Sequence, residues 1–392
     1  MPTLPDNVLL IGVDGGASEV KAHQVLLLAE GGAPTLSTGP ASAATCYERL
    51  DGFEPLPVAQ QLVAFQRGEM RPSDAEVLQG EMWVEAAAGA ILSVASQAGT
   101  RDVVLGMCMP GLKTKDGRGV AVMKNGPRMP EFCAQLEREL ASEGLRLVHP
   151  IRTLASDGEA CAWGEECDVQ GHLRGAQNAY YIGSGTGVAE AFKLGGEILG
   201  LDALKSTVEK AWQMEARPGV GFEELLSMRA MNERYAARAG LELPLAIDDQ
   251  PERRAAEGDA EALAVLAEAS DALAQLGFER IRAVHAGHKP GSRAKHPRPG
   301  TMLDRIVLGQ HIGRLFARDE LAHVLRDRTE EQLSRRIEQS GSLVLCTHYL
   351  EGGMLRSGFL TASTLRAAPA IGAAALALLA HRAPAREGST RI

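Results

Sequence analysis

Three short polar turns, each directly after an apolar run, constrain this sequence more than any other feature. In IGVDGGAS, Asp14 follows the run Val8–Val13, and in LASDGEAC, Asp157 follows the run Leu147–Leu154. The third stretch, YYIGSGTGVAEAF, places three glycines and two hydroxyl residues in Gly183–Gly187. Short apolar runs bounded by such residues are typical of β-strands. Turns with little side-chain bulk let backbone N–H groups surround an anion, so we expect charged ligands at these strand ends.

The rest of the chain alternates between strand-like and helix-like segments. The pattern predicts strands at 8–13, 22–28, 103–107, 147–154, 304–308 and 343–347, and helices at 79–97, 130–143, 159–166, 222–237, 260–284 and 368–379. The first two strands are expected to form an antiparallel pair. This alternation predicts an α/β fold, and we find no internal repeat of fixed period.

Composition sets the class of protein and excludes several functions. A chain of 392 residues is too long for one core of ordinary size, so we expect two domains. A hydrophobic content of 45% with 23% charged residues is typical of a soluble globular protein. The net charge of -9 argues against a nucleic-acid partner, which requires a basic surface. The basic, Pro- and Gly-rich segment 286–300 is interpreted as a solvated loop.

Cysteine usage and hydropathy indicate a cytoplasmic protein. The six cysteines contain no CxxC pair, which favours reduced thiols over a disulfide framework or a zinc site. The N-terminus has no basic region ahead of an apolar stretch, so no signal peptide is predicted. The longest apolar stretch, Ala368–Ala380, is too short to span a bilayer, so no membrane role is expected.

Each polar turn has a structural and a functional interpretation. The first is either an ordinary hairpin turn or a phosphate-binding hairpin, in which Asp14 holds Mg²⁺ and Ser18 donates to a phosphate oxygen. Asp157 is either a helix N-cap or a general base that takes a proton from a substrate hydroxyl. Gly183–Gly187 is either a plain hairpin turn or a second phosphate-binding turn. Taken singly, none of the three separates these alternatives.

Taken together and in this order, the motifs resemble those of the ROK family of bacterial sugar kinases. D-G-G-A-S-E-V-K matches the family's phosphate-1 pattern D-x-G-G-T-x-x-K, and S-D-G-E-A-C-A-W-G-E matches N-D-A-N-A-A-A-x-G-E without a gap. G-S-G-T-G-V is similar to the phosphate-2 pattern G-T-G-x-G. Towards the C-terminus, IVLGQHIG resembles the adenosine segment I-V-L-G-G-G, and APAIGAAALAL resembles the closing helix. The resemblance covers most of the chain.

The resemblance implies a two-lobed actin-like ATPase (ribonuclease H-like) α/β fold with ATP in the interlobe cleft. It implies an N-terminal lobe at 1–157, a C-terminal lobe at 158–367, and a closing helix and tail at 368–392, with the helix packing back on the N-terminal lobe. It also implies an ATP-dependent phosphotransferase with an alcohol acceptor, Asp157 as general base, and Mg²⁺ held by Asp14. The implied ATP-binding residues are Asp14, Gly15, Gly16, Ser18, Lys21, Gly183, Ser184, Gly185, Thr186, Gly187 and Gly309.

Departures from the family pattern bear on the acceptor. By distance from phosphate-2, Glu209 stands where the family has a sugar-binding Glu, but the accompanying His is absent. Phe222, in RPGVGFEELLS, replaces a zinc-binding cysteine, so no zinc is expected. Ser156 replaces the Asn beside the catalytic Asp, while Gly111 and Asn125 fall in the implied acceptor loop, where Asn125 fits a turn asparagine equally well. The acceptor is therefore left open among sugars, amino sugars and cyclitols, and a homodimer would fit the resemblance.

Three other interpretations differ from that of a catalytic ROK sugar kinase. The string GVDGGAS also fits the N-acetylglucosamine kinase and dehydratase-activator branch, whose first motif is G-V-D-G-G-x-T. An activator would need cluster-ligating cysteines, which are lacking, so an amino-sugar kinase of that branch is the main alternative. A non-catalytic sugar-sensing ROK protein is less favoured, because a silent site needs no base at Asp157. A DNA-binding ROK repressor would carry a winged-helix segment ahead of the first strand, which begins here at Val8.

Overall fold

The computed structural model describes residues 4–5, 7–16, 18–28, 35–204, 207–287 and 299–382. The chain divides into two compact units, unit 1 containing the residues up to Gly171 and those from Ala367 onward, and unit 2 containing His172–Arg366. The boundary expected after residue 157 therefore falls inside unit 1, which continues through the helix that Asp157 begins. Most of the basic segment 286–300 lies outside the described residues.

Unit 1 is built on a five-stranded sheet. Its elements before Gly171 are β1 (Val8–Gly15), β2 (Glu19–Leu28), β3 (Thr35–Cys46), α1 (Val58–Arg67), α2 (Asp74–Ala98), β4 (Asp102–Cys108), β5 (Leu112–Lys113), β6 (Val120–Val122), α3 (Phe132–Ser142), β7 (Arg146–Leu147) and α4 (Asp157–Cys167). The strand order is β3-β2-β1-β4-β7. The pairs β1–β2 and β2–β3 are antiparallel, whereas β1–β4 and β4–β7 are parallel.

Unit 2 repeats this topology. Its elements are β8 (Ala179–Ser184), β9 (Val188–Leu194), β10 (Glu197–Gly200), α5 (Leu201–Leu204), β11 (Glu215–Arg217), β12 (Val220–Gly221), α6 (Glu223–Leu226), α7 (Met228–Ala239), α8 (Pro251–Ala256), α9 (Ala260–Ala286), β13 (Arg305–Gly309), α10 (Gln310–Phe316), α11 (Arg326–Gln339), α12 (Leu343–Tyr349), β14 (Leu350–Glu351), β15 (Met354–Leu355) and β16 (Leu360–Ala362). The sheet order β10-β9-β8-β13-β16 has the same succession of two antiparallel and two parallel pairs. The internal repeat is thus one of topology and leaves no fixed period in the sequence.

The last helix, α13 (Ala368–Arg382), belongs to unit 1 and packs on its sheet through glycines. Gly12 of β1 and Gly106 of β4 are paired in register. A Cβ atom on Gly12 would overlap the carbonyl oxygen of Ala370, and one on Gly106 would overlap that of Ala373. The helix therefore lies directly on the backbone of the two central strands.

The same small-residue packing joins α13 to α4. A Cβ on Gly372 would overlap the carbonyl oxygen of Ala160, and one on Gly164 would overlap that of Ala368. Close-packed backbones of this kind explain why the closing helix is so rich in Ala, because interiors leave no room for larger side chains. No helix within the described ranges is long and apolar enough to cross a membrane.

Most of the predicted elements are confirmed. The first hairpin, the strands predicted at 103–107 and 304–308, and the helices predicted at 79–97, 130–143, 159–166, 260–284 and 368–379 are all present, usually a few residues longer. Boundaries are the least certain part of a sequence-based assignment, because helix ends are set by capping and packing.

The predicted strand at 343–347 is wrong, because this segment is helix α12. Ser342 caps the helix by accepting a hydrogen bond from the Leu345 amide at 3.4 Å. Leu345 and Tyr349, four residues apart, are buried, while Leu343 is 79% exposed. A short apolar run does not by itself distinguish a strand from one face of a helix, and here the helical period applies.

Two further predicted elements are interrupted. The helix predicted at 222–237 breaks at Ser227, whose extended backbone and side chain cap α7 by accepting from the Ala230 amide at 3.2 Å. The strand predicted at 147–154 ends at Leu147, and pairing resumes only at Ala155, which bridges Cys108. Pro150 lies in this gap and lacks the N–H that a strand would need.

Candidate active site

The carboxyl ends of the central strands of unit 1 bring Asp14 and Asp157 together. Asp14, the next-to-last residue of β1, is paired in parallel register with Cys108, the last residue of β4. On its other side Cys108 forms a parallel bridge with Ala155, two residues before Asp157. Carboxyl ends of parallel strands are the usual place for ligands in α/β proteins.

The electrostatics of Asp14 reflect this neighbourhood. Burial is the main cause that raises its pKa from 3.8 to about 6, and the negative charge of Asp157 raises it further, whereas the charge of Lys21 lowers it. Two carboxylates that oppose each other's ionisation provide oxygen ligands for a divalent cation, whose charge would remove the repulsion. The residues therefore fit the predicted Mg²⁺ at Asp14.

Cys108 supports this arrangement as a thiol. Its Sγ lies 3.5 Å from the Val13 carbonyl oxygen and 3.8 Å from Asp14 Oδ1, and either oxygen can accept its single S–H proton. Burial raises the pKa of the Cys108 thiol well above its usual range, and the charges of Asp14 and Asp157 raise it further. Since the thiolate is the reactive form, Cys108 is a hydrogen-bond donor here and not a nucleophile.

The helix-cap interpretation of Asp157 is weakened by its neighbour. The N-cap of α4 is Ser156, whose Oγ accepts from the Glu159 amide at 3.3 Å. Asp157 is the first helical residue, is partly exposed, and accepts a hydrogen bond at Oδ1 from the Gly158 amide at 3.0 Å. Because Ser156 supplies the cap, α4 does not depend on Asp157 for it. The prediction that Ser156 also contacts the acceptor is still to be tested.

The β1–β2 turn carries the rest of the phosphate-1 motif. A Cβ on Gly15 would come within 2.9 Å of Met109 Cγ, and one on Gly16 within 2.8 Å of the Glu19 carbonyl oxygen. The hydroxyl of Tyr47 donates to the Gly16 carbonyl oxygen at 2.8 Å and fixes the turn. Two further motif side chains are exposed: those of Ser18 and of Lys21, which pairs with Glu19 at 2.8 Å. Only small residues fit at Gly15 and Gly16.

The predicted acceptor loop after β4 is held by a lysine that sequence reasoning missed. Gly111 is exposed and has φ 87°, and a Cβ there would overlap the Val122 carbonyl oxygen. Lys113 Nζ donates to the carbonyl oxygens of Met109 at 2.7 Å and Gly111 at 2.8 Å. These bonds fix the backbone immediately after the strand end that carries Cys108.

Asn125 is presented by a buried segment that is clamped on both sides. Within 121–129, only Lys124 and Asn125 are exposed. Gln61 of α1 donates to the Met123 carbonyl oxygen at 2.8 Å and accepts from its amide at 2.8 Å. On the other side, Arg128 makes a buried ion pair with Glu76 of α2 at 2.5 Å. The arrangement keeps Asn125 in a defined position at the surface.

In unit 2, Gly183–Gly187 covers the end of β8 and the tight turn that leads to β9. Ser184 pairs with Val188 across the hairpin, and the Gly185 amide donates to the Gly187 carbonyl oxygen at 2.9 Å. Within the described part of the chain, the Ser184 Oγ is buried without a hydrogen-bond partner, although buried hydroxyls normally have one. Thr186 is exposed at the tip. A ligand oxygen is a suitable partner for the Ser184 hydroxyl.

Gly309, in the predicted adenosine segment, lies beside this turn. It ends β13 and pairs in register with Gly183. A Cβ on Gly309 would overlap the Tyr181 hydroxyl oxygen, and one on Gly183 would lie 2.8 Å from the same atom. Both glycines are therefore required by packing against Tyr181.

Glu209 is exposed, and the backbone beside it is held by a buried hydrogen-bond network that was not predicted. Two residues further on, Ala211–Gln213 form a single 3₁₀ turn, and the Ala211 amide donates to Glu190 Oε2 at 2.6 Å. Glu190 is in turn buried in an ion pair with Arg280 at 2.5 Å. The network anchors the backbone that carries Glu209.

In the segment 217–227, the residue predicted to replace a zinc-binding cysteine is part of the hydrophobic core. Phe222 is fully buried in the core of unit 2, at the start of α6. Across the described ranges, no three His, Cys, Asp or Glu side chains cluster in a way that could hold a metal ion. A cation at Asp14 would therefore need further ligands, such as the phosphate oxygens of a bound nucleotide.

Two α/β units with the same sheet order define a duplicated actin-like ATPase fold. Solved structures with this fold include the ROK hexokinase from Thermus thermophilus, with 17% identity, a TM-score of 0.55, and coverage of 95% of this chain and 99% of that one. The ROK family glucokinase from Streptomyces griseus, in complex with glucose and AMPPNP, has 17% identity, a TM-score of 0.54, and coverage of 94% and 98%. The chain therefore has the fold of the ROK sugar kinases, as its motifs predicted.

The fold is shared with a regulator. A ROK family transcriptional regulator, a homologue of the E. coli MLC protein, has 14% identity, a TM-score of 0.54, and coverage of 95% of this chain and 79% of that one. No protein-family model matches the sequence, and no curated protein is detectably similar to it. At these identities the likeness establishes the fold, and function has to be argued from the residues.

Proposed function

We propose that the protein is an ATP-dependent kinase that transfers the γ-phosphoryl group to a hydroxyl of a sugar, amino sugar or cyclitol. The observation that carries the proposal is the placement of Asp14 and Asp157 on either side of the Cys108 strand end. Paired carboxylates whose environments differ are suited to separate roles, one as a cation ligand and the other as a base. The complex of the S. griseus glucokinase with glucose and AMPPNP supports a sugar and a nucleotide as ligands.

The proposed roles follow the geometry of each unit. Asp14 holds Mg²⁺, and the turns after β1 and β8 bind the phosphate groups of ATP with their amides and hydroxyls. The proposed nucleotide-binding residues are Asp14, Gly15, Gly16, Ser18, Lys21, Gly183, Ser184, Gly185, Thr186, Gly187 and Gly309. When bound, Mg²⁺ would supply charge neutralisation for the phosphate oxygens. Phosphoryl transfer depends mainly on such positioning and charge stabilisation.

Asp157 acts as the general base. Its carboxylate takes the proton as the acceptor O–H bond breaks, the acceptor oxygen bonds to the γ-phosphorus, and the bond from phosphorus to the ADP oxygen breaks. The hydrogen bond from the Gly158 amide to Oδ1 holds the carboxylate at the start of α4. A helix N-terminus is a favourable place for a negatively charged side chain.

The acceptor is bound by a different set of residues. We propose Gly111, Asn125, Ser156 and Glu209 as its contacts. Asn125 and Gly111 are exposed on rigidly held backbone, which suits recognition of hydroxyl groups. Ser156 already caps α4, but its hydroxyl retains donor capacity for an acceptor.

The alternatives differ in chemistry. An N-acetylglucosamine-kinase-type enzyme would use the same base with an amino-sugar acceptor. A non-catalytic sugar sensor is favoured by one observation, the fold shared with the ROK regulator. A sensor would bind a sugar and leave ATP unchanged.

The proposal is tested by ADP release with Mg·ATP and a panel of hexoses, amino sugars and cyclitols. We expect acceptor-dependent ADP formation with at least one class, and a phosphorylated product by mass spectrometry. A thermal shift with a sugar but no ADP release with any acceptor would support the sensor. An amino sugar as the only active acceptor would support the N-acetylglucosamine-kinase-type enzyme.

A further inference from the structure

Gln310 has a backbone conformation that is unusual for its residue type. Among the described residues it is the one non-glycine with a positive φ, at 55°. It begins α10 directly after Gly309. In this left-handed region a Cβ atom is crowded by the backbone, whereas glycine adopts it freely. Such conformations persist where the surroundings hold them, and they cluster at ligand-binding sites.

The surroundings that hold Gln310 are the β8–β9 turn. Its backbone bridges Ser184 in parallel. Its carboxamide fills the space beside the turn's glycines, since a Cβ on Gly183 would lie 3.1 Å from Gln310 Oε1 and 3.2 Å from Cδ. A Cβ on Gly185 would lie 3.7 Å from the same oxygen. The unfavourable backbone therefore places a polar side chain directly on the proposed phosphate-binding turn.

A second observation at this turn also indicates a ligand. The Ser184 Oγ, on the residue that Gln310 bridges, is buried and lacks a hydrogen-bond partner within the described ranges. A carboxamide offers two N–H donors and one acceptor without adding charge. The turn, the hydroxyl and the carboxamide together match the oxygens of a phosphate group.

We propose that Gln310 is a nucleotide-binding residue, whose carboxamide donates a hydrogen bond to a phosphate group bound at Gly183–Gly187. This inference rests on the proposed function and adds a side chain that was not among the ATP-binding residues implied by the sequence. It also explains why Gln occupies a position whose backbone suits Gly: the side-chain contact with the ligand compensates for the left-handed conformation.

Three substitutions separate the side chain from the backbone. Gln310→Ala removes the carboxamide and keeps a Cβ in the left-handed region, whereas Gln310→Gly also removes the backbone penalty. Gln310→Glu keeps the shape and repels phosphate. Gln339→Glu, on an exposed residue of α11 in the same unit, is the matched control for the charge change.

Mg·ATP binding is measured by calorimetry, and KM is measured for both ATP and the acceptor. We expect Gln310→Ala and Gln310→Gly to weaken ATP binding about tenfold and Gln310→Glu to weaken it more, since hydrogen bonds to charged groups are among the stronger ones. The acceptor KM should stay unchanged, and the glycine variant should melt at a higher temperature than the alanine variant.

Wild-type affinity for ATP in Gln310→Gly, together with a raised melting temperature, would overturn the inference. Gln310 would then be a residue in an unfavourable backbone conformation with no role in nucleotide binding. If wild-type protein binds no Mg·ATP, the proposed function itself fails. The two failures are therefore distinguished by the first titration.

Discussion

Asp14 and Asp157 flank one strand end: Asp14 pairs directly with Cys108, and Asp157 lies two residues beyond Ala155, which bridges Cys108 from the other side. The two carboxyl groups come from segments far apart in the sequence and share one edge of the unit 1 sheet. Asp157 adds its negative charge to the burial that raises the pKa of Asp14. Two interacting carboxyl groups in one site lower the stability of the folded protein, and such arrangements cluster at functional sites.

The first prediction concerns how much Asp14 lowers the free energy of unfolding of the ligand-free protein. Its pKa rises from 3.8 to about 6 on folding, so the folded state binds the proton more tightly than the unfolded state. Stability should therefore fall as the pH rises from about 4 to about 6 and stay level above that range. Asp14→Asn removes this cost and should raise the free energy of unfolding by about 1–3 kcal/mol at pH ~7.5.

Urea unfolding in the presence of a chelator, at pH ~7.5 and pH ~4.5, measures the effect. The gain should be smaller at the lower pH, where Asp14 in the wild type is already largely protonated. An Asn variant that is less stable than wild type at both pH values would contradict the raised pKa.

The second prediction concerns the packing of α13. Gly372→Ala would place a Cβ against the Ala160 backbone, which cannot move aside, so we expect a loss of about 3 kcal/mol or more, or failure to fold. The matched control is Gly89→Ala in α2, where the added Cβ would lie 3.8 Å from Thr45 Oγ1. Because Gly89 is exposed within a helix, this change should raise the free energy of unfolding by about 0.5–1 kcal/mol. Equal effects of the two substitutions on the melting temperature would contradict the close helix contact.

The third prediction concerns the segment that presents Asn125. Gln61→Leu removes the carboxamide that hydrogen-bonds the buried amide and carbonyl groups of Met123. This loss should lower the free energy of unfolding by about 2–4 kcal/mol. If Asn125 contacts the acceptor, the acceptor KM should rise about tenfold and the ATP KM should stay near wild type. The control is Gln60→Leu, at the exposed neighbouring position, which should change neither. A parallel rise in both KM values would show that Gln61 supports the fold in general and not the acceptor segment.

The strand-end motifs could be predicted from the sequence because their chemistry is local. Asp14 and Gly183 each follow a continuous apolar run, and the glycines mark the turns that come next. Long helices such as α9 were also predictable, since their apolar period extends over many turns. The segment 343–347 was not, because five residues are too few to reveal a period, and the cap at Ser342 decides the outcome.

The side chains that organise the site could not be predicted, because their partners are distant in the sequence. Gln61 and Met123 are 62 residues apart, and Glu190 and Arg280 are 90 apart. The only sequence signal for Gln310 is that it stands where the adenosine segment I-V-L-G-G-G has its second Gly. Its position on the β8–β9 turn depends on the pairing of β13 with β8, which no local pattern encodes.

The central claim, that Asp157 is the base of an ATP-dependent kinase, is tested most directly by Asp157→Asn with the best acceptor from the panel. The Asn side chain keeps the shape and removes the proton acceptor, while Ser156 continues to cap α4. The variant should melt near the wild-type temperature, bind Mg·ATP, and lose about 10²–10⁴-fold in acceptor-dependent phosphoryl transfer. Turnover within a few-fold of wild type, in a variant that is folded and binds ATP, would contradict the assignment of Asp157 as the base.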